Sequence, residues 1–125
     1  MEQPLSNIAV DPKVLQMFKS SAGENGSAFL AELIDCYLEE SSQQVQAMKA
    51  AVAQGNVNNV RREAHILKSN SAAIGANNLA KLCKELEAIA SPDEMRSALQ
   101  KVLQLEVEYQ KVATALSIER QGSQI

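Results

Sequence analysis

The stretch VNNVRREAHILKSNSAAIG, residues 57–75, decides how the rest of the chain is read. Val57, Val60, Ala64, Leu67, Ser71 and Ile74 recur at spacings of 3, 4, 3, 4 and 3, which at roughly 100° per residue stacks them on one stripe of a helix facing a bundle core. Gly75 stops that helix, and Asn56 can cap its start after Gly55, which fits the left-handed position past a preceding helix. Working upstream, a long helix is predicted from about Ser27 to Gln54, with its stripe at Leu30, Ile34, Tyr37, Val45, Met48 and Val52. Ser41 fills the vacant turn of that stripe. Before it, Asp11 as N-cap and Pro12 at the first helical position announce a short helix over about 11–20, bearing Val14, Leu15 and Phe18 on one side. Residues 21–26, SAGENG, read as a loop.

Downstream, a third helix carries Leu79, Leu82, Cys83, Leu86 and Ile89. Ser91-Pro92-Asp93-Glu94 then has the spacing of a capping box, with acids favouring the helix dipole. A fourth helix is predicted to about Glu119, its stripe at Ala98, Val102, Leu105, Tyr109, Val112 and Leu116, with residues 120–125 as a tail. The expectation is an all-α single domain over residues 1–125. Its architecture is an antiparallel up-down four-helix bundle over about 27–119, with a short additional N-terminal helix.

Composition agrees. The 125 residues are 46% hydrophobic and 22% charged, ordinary globular values, with only 3% aromatic. A net charge of −3 and few aromatics argue against nucleic acid. No apolar run approaches the ~20 residues of a membrane span, and the start MEQPLSNIAV lacks a signal peptide's basic and apolar regions. Cys36 and Cys83 stand apart as free thiols, and the cytoplasm is the expected address. Charge is uneven: residues 60–84 hold Arg61, Arg62, Lys68, Lys81 and Lys84 against Glu63, a local +4, so the remainder carries −7. Such a segment suits either an anionic partner or solvated lysines on a helix face.

His65 is the only histidine. Its direction lies about 130° from the centre of the apolar stripe, so the imidazole points out of the core. Arg61 lies one turn before it on the same face, Ser69 one turn after and Ala72 two turns after, while Lys68 sits on the shoulder toward the next helix. Ser69 and Ala72 are small enough to let another protein approach the ring. Lys68 and Arg61 can neutralise a phosphoryl group. An exposed imidazole is largely neutral at pH 7 and leaves a ring nitrogen free as a nucleophile. Other chemistries fail on inventory: one His and no CxxC or HExxH argue against zinc, and no GxxxxGK[ST] or GxGxxG loop is present to hold a nucleotide. Glu39-Glu40 and Glu106/Glu108 read as solvated faces, because a di-iron bundle needs a second histidine.

The run from Ala64 to Ala76, AHILKSNSAAIGA, resembles the signature A-H-x-L-K-[GS]-x-[SA]-x-x-[LI]-G-A of histidine-containing phosphotransfer (HPt) domains. Leu79, Leu82-Cys83 and Leu86-Glu87 continue the likeness, as do Phe29–Ile34 and Tyr37–Glu39 upstream, so it spans about residues 10–118. Ser69 stands where many members have Gly, a change that keeps the side chain small. Kinase dimerisation domains look different, with an acid directly after the histidine, where this chain has Ile66.

The resemblance implies a phosphorelay intermediate. His65 would accept a phosphoryl group from a receiver-domain aspartyl phosphate, in a hybrid histidine kinase, and pass it to the Asp of a response regulator. Lys68 would screen phosphate charge, and Arg61, Arg62, Ile66, Ser69, Ala72, Ala73 and Lys84 would form the partner surface. The chain would be a carrier with no autonomous catalysis and no cofactor of its own, the receiver bringing Mg²⁺, and a monomer. Two alternatives stand beside it: direct charging by an ATP-dependent kinase core, and a non-phosphorylated receiver-docking module.

Overall fold

A computed structural model describes residues 8–122. Residues 1–7, where no signal peptide is read, and 123–125, the end of the expected tail, lie outside that range. The described chain is all-helical: α1 Pro12–Ser21, α2 Gly26–Ala53, α3 Val57–Ala73, α4 Asn77–Ile89 and α5 Met95–Gly122. The four longer helices close a ring, α2 on α3, α3 on α4, α4 on α5 and α5 back on α2, while α1 packs on α2.

Local chemistry accounts for most boundaries. Asp11 Oδ1 accepts from the Lys13 N–H at 2.9 Å, and Pro12 starts α1 as its missing N–H allows. Residues 21–26 are tighter than the expected loop: Gly23–Asn25 form a 3₁₀ turn and Gly26 already belongs to α2. Gly26 is required there, because a Cβ on it would lie 2.2 Å from the Lys19 carbonyl oxygen. That close approach, with Phe18 edge-on to Phe29 at 6.4 Å, docks α1 on α2.

The stripes on α2, α3 and α5 are buried as their spacing requires, Val57 being half-buried at the start of its helix. On α4, Leu82 and Ile89 are also only half-buried, and the fully buried positions at its ends are Ala76 and Ala90. Two further expectations fail. Ser91 makes no side-chain cap; its carbonyl takes the Glu94 N–H at 3.1 Å, closing a 3₁₀ turn over Pro92–Glu94 and removing the donor a capping box needs. The last helix also outruns Glu119, reaching Gly122. Arg120 holds that extra turn, its Nε and Nη2 both donating to the Asp35 carboxylate of α2, the latter at 2.8 Å.

Candidate functional site

The roll of α3 about its axis aims His65. Ala64 and Leu67 are fully buried on either side of it in sequence, so the imidazole must face outward, and its side chain is 61% exposed. Below it, the Tyr37 hydroxyl and Ser71 Oγ hydrogen-bond at 2.8 Å inside the core, fixing α3 against α2. Burial pushes the Tyr37 hydroxyl well above the ordinary tyrosine range, so this link stays neutral.

The residue that organises the site is Glu87 of α4. His65 Nδ1–H donates to its Oε2 at 3.1 Å, and Lys68 Nζ donates to its Oε1 at 2.7 Å. The Lys68 bond is the main reason that the Glu87 carboxyl is held below the usual glutamate range; His65 adds to the effect and partial desolvation opposes it. An ionised carboxylate can only accept hydrogen bonds. In the neutral imidazole Nδ1 therefore carries the ring proton, and Nε2 keeps its lone pair for an incoming electrophile. Glu87 entered the sequence reading only as part of the family likeness, with no role of its own. Its partners lie 22 and 19 positions away, and no helical period reports a contact between two helices.

Around the imidazole, Arg61, Ser69 and Ala72 are exposed along the same face of α3. Arg62, Ile66 and Ala73 are exposed on its α2 flank, Ala73 lining a shallow recess with Leu33, Cys36, Tyr37 and Ile74. Lys68 is half-buried on the α4 flank and engaged with Glu87 instead of standing free. Lys84 is exposed on α4 one turn before Glu87. Of the segment's cations, Arg62 lies 3.6 Å from Glu63, whereas Arg61, Lys81 and Lys84 make no ion pair among the described residues.

Neither thiol is activated. Burial pushes Cys83 up to about 12, and the neighbouring Glu40 charge raises Cys36. Among the described residues no group of three or more His, Cys, Asp or Glu could hold a metal ion, and no helix is long and apolar enough to cross a membrane.

A family model described as the Hpt domain matches residues 32–115. The fold is similar to the crystal structure of histidine-containing phosphotransfer protein B (HptB) from Pseudomonas aeruginosa PAO1, with 29% sequence identity and a TM-score of 0.80 over 92% of this chain and 96% of that one. No curated protein matches the chain.

Proposed function

The chain belongs to the Hpt domain family, and we propose that it works in a phosphorelay by carrying a phosphoryl group on His65. The donor is the aspartyl phosphate of a receiver domain, such as that of a hybrid histidine kinase, and the acceptor is the Asp of a response regulator. The observation that carries this reading is the Glu87 contact with Nδ1 on an exposed ring, which in the neutral imidazole keeps the proton on Nδ1 and the lone pair on Nε2.

In the forward step the Nε2 lone pair forms the N–P bond while the P–O bond to the receiver's aspartate breaks, its electron pair returning to that carboxylate. The Nδ1 proton stays on the ring, where the Glu87 carboxylate offsets the positive charge of the phosphorylated imidazole. Onward transfer is the reverse at a second receiver. Lys68, already beside the ring, lowers the cost of the arriving negative charge, and the unpaired Arg61 and Lys84 extend that field. Phosphoryl transfer depends mainly on positioning and charge neutralisation, so a rigidly held imidazole suffices on this side while the receiver supplies Mg²⁺. The chain is then a carrier and not an enzyme, acting in the cytoplasm with its receivers.

We further propose that the four long helices form an antiparallel up-down bundle. Connections of only a few residues, 54–56, 74–76 and 90–94, support that arrangement together with the closed ring of contacts.

The test mixes the pure chain with pre-phosphorylated receiver domains, without ATP, and follows intact mass. The expected outcome is gain of one acid-labile phosphoryl group by the wild type and none by His65→Gln. A folded wild type that binds receivers but gains no mass overturns the relay reading; labelling only from ATP through a kinase core reassigns the donor.

A further inference from the structure

Two hydroxyl pairs of the same kind cross the core. Tyr37 of α2 meets Ser71 of α3 at 2.8 Å, and Ser41 of α2 meets Tyr109 of α5 at 2.8 Å. All four side chains are buried. The first pair is the only side-chain hydrogen bond between α2 and α3 among the described residues, and no ion pair there joins those two helices. By contrast, α2 and α5 also share Lys49 with Glu106 and Asp35 with Arg120. Apolar packing has no preferred direction, so it leaves small rotations of α3 against α2 nearly free, whereas a hydrogen bond has a preferred length and angle.

We propose that Tyr37 and Ser71 are positioning residues for phosphoryl transfer, their bond setting the roll of α3 and, through it, the place of His65 Nε2. The inference rests on the carrier reading of His65. Ser71 follows His65 by six residues, about 9 Å along the axis and about 120° around it, so the core hydroxyl and the outward imidazole turn together on one rigid helix. The ring nitrogen stands roughly 7 Å from the helix axis, and a roll of about 10° carries it about 1 Å. A misplacement of that size can slow a transfer by about a hundredfold.

The same roll is felt on the α4 side. His65 Nδ1 lies 3.1 Å from Glu87 Oε2, toward the long end of a hydrogen bond's range, so a roll of α3 toward α2 opens that contact. Among the described residues the imidazole has no other hydrogen-bond partner, and with its side chain 61% exposed it has little packing to hold it. The two bonds therefore act in series: Tyr37 with Ser71 fixes the helix, and Glu87 fixes the ring upon it.

The second pair supplies a matched comparison. Ser41 and Tyr109 have the same chemistry, the same length and similar burial, but they tie α2 to α5, which contacts α2 and α4 and lies across the ring from α3. Tyr37→Phe and Tyr109→Phe each keep the ring and lose one hydroxyl, so they cost the fold similarly, and only the first frees α3 to turn.

The test compares the wild type, Tyr37→Phe, Tyr109→Phe and the double variant Tyr37→Phe/Ser71→Ala. Each is followed by urea denaturation, by ¹⁵N NMR of the His65 ring, and by phosphoryl uptake at saturating phosphorylated receiver, so that docking does not limit the rate. Tyr37→Phe is expected to slow uptake by about tenfold and to shift the neutral imidazole toward its Nε2-protonated tautomer, while Tyr109→Phe does neither. The double variant leaves no hydroxyl of the pair without its partner and is expected to regain stability, yet its uptake stays slow because nothing directional has returned. Uptake that recovers together with stability in the double variant, or equal slowing in the two Tyr→Phe variants, overturns the proposal. A wild type that takes up no phosphoryl group removes the carrier reading instead, and the tautomer then decides the positioning role alone: a shift in Tyr37→Phe supports it, and an unchanged tautomer overturns it.

Discussion

Glu87 links two side chains that the helical pattern of α3 separates, accepting from His65 and Lys68 together. Removing it in Glu87→Ala leaves Nδ1 without its acceptor. The neutral imidazole then shifts toward the Nε2-protonated tautomer, readable by ¹⁵N NMR of the ring, and phosphoryl uptake slows by about tenfold or more in a chain that still folds. Uptake unchanged with a shifted tautomer would remove Glu87 from the reaction. Acid acts on the same group. Because the folded carboxyl titrates below its unfolded value, its contribution to stability is present at neutral pH and is lost as pH falls through the lowered folded value. Lys68→Ala removes the largest cause of that depression, so the Glu87 carboxyl resonance should titrate at higher pH in the variant than in the wild type.

At the scale of elements, backbone strain and close packing can be separated at two glycines that follow helices. Gly55 has φ +68° with open space around it, whereas Gly75 has φ +89° and a Cβ there would meet Val14 Cβ at 3.0 Å. Gly75 also accepts the Asp11 N–H at 2.9 Å, so α1 enters beside the end of α3. Gly55→Ala should cost about 1–2 kcal/mol, the strain of a left-handed backbone alone. Gly75→Ala should cost more, because overpacking adds on the order of 1–3 kcal/mol to the same strain. Urea denaturation of the two variants checks the ranking, and equal costs would mean that α1 yields freely at Val14.

Across the whole molecule, two buried hydroxyl pairs tie α2 to its neighbours: Tyr37 with Ser71 of α3, and Ser41 with Tyr109 of α5 at 2.8 Å. Small polar residues sit in these stripes because each has a partner across the core, which burial demands. Tyr109→Phe keeps the ring packing and removes one partner. A loss of about 1 kcal/mol in chemical denaturation is expected, with phosphoryl uptake unchanged, since α5 lies across the ring from α3. A larger loss accompanied by slower uptake would show that the pair transmits to the His65 face.

Helix existence, most boundaries and the outward direction of His65 were all legible in the chain. Capping, glycine stops and the 3.6-residue period act within a few residues, so Asp11, Asn56, Gly75 and the stripe through Ala64 and Leu67 report them directly. The relay reading came from the likeness of the run around His65 to a known family. Where local signals competed, the outcome was not legible: Ser91 and Glu94 have capping-box spacing, yet backbone closure into a 3₁₀ turn took the donor. Only the tertiary structure brought Glu87 to His65 and Lys68, and carried α5 to Gly122 through Arg120 and Asp35. Those contacts depend on how packed helices slide and rotate against one another, and that register is set by the shape of the whole core, which no single helix encodes.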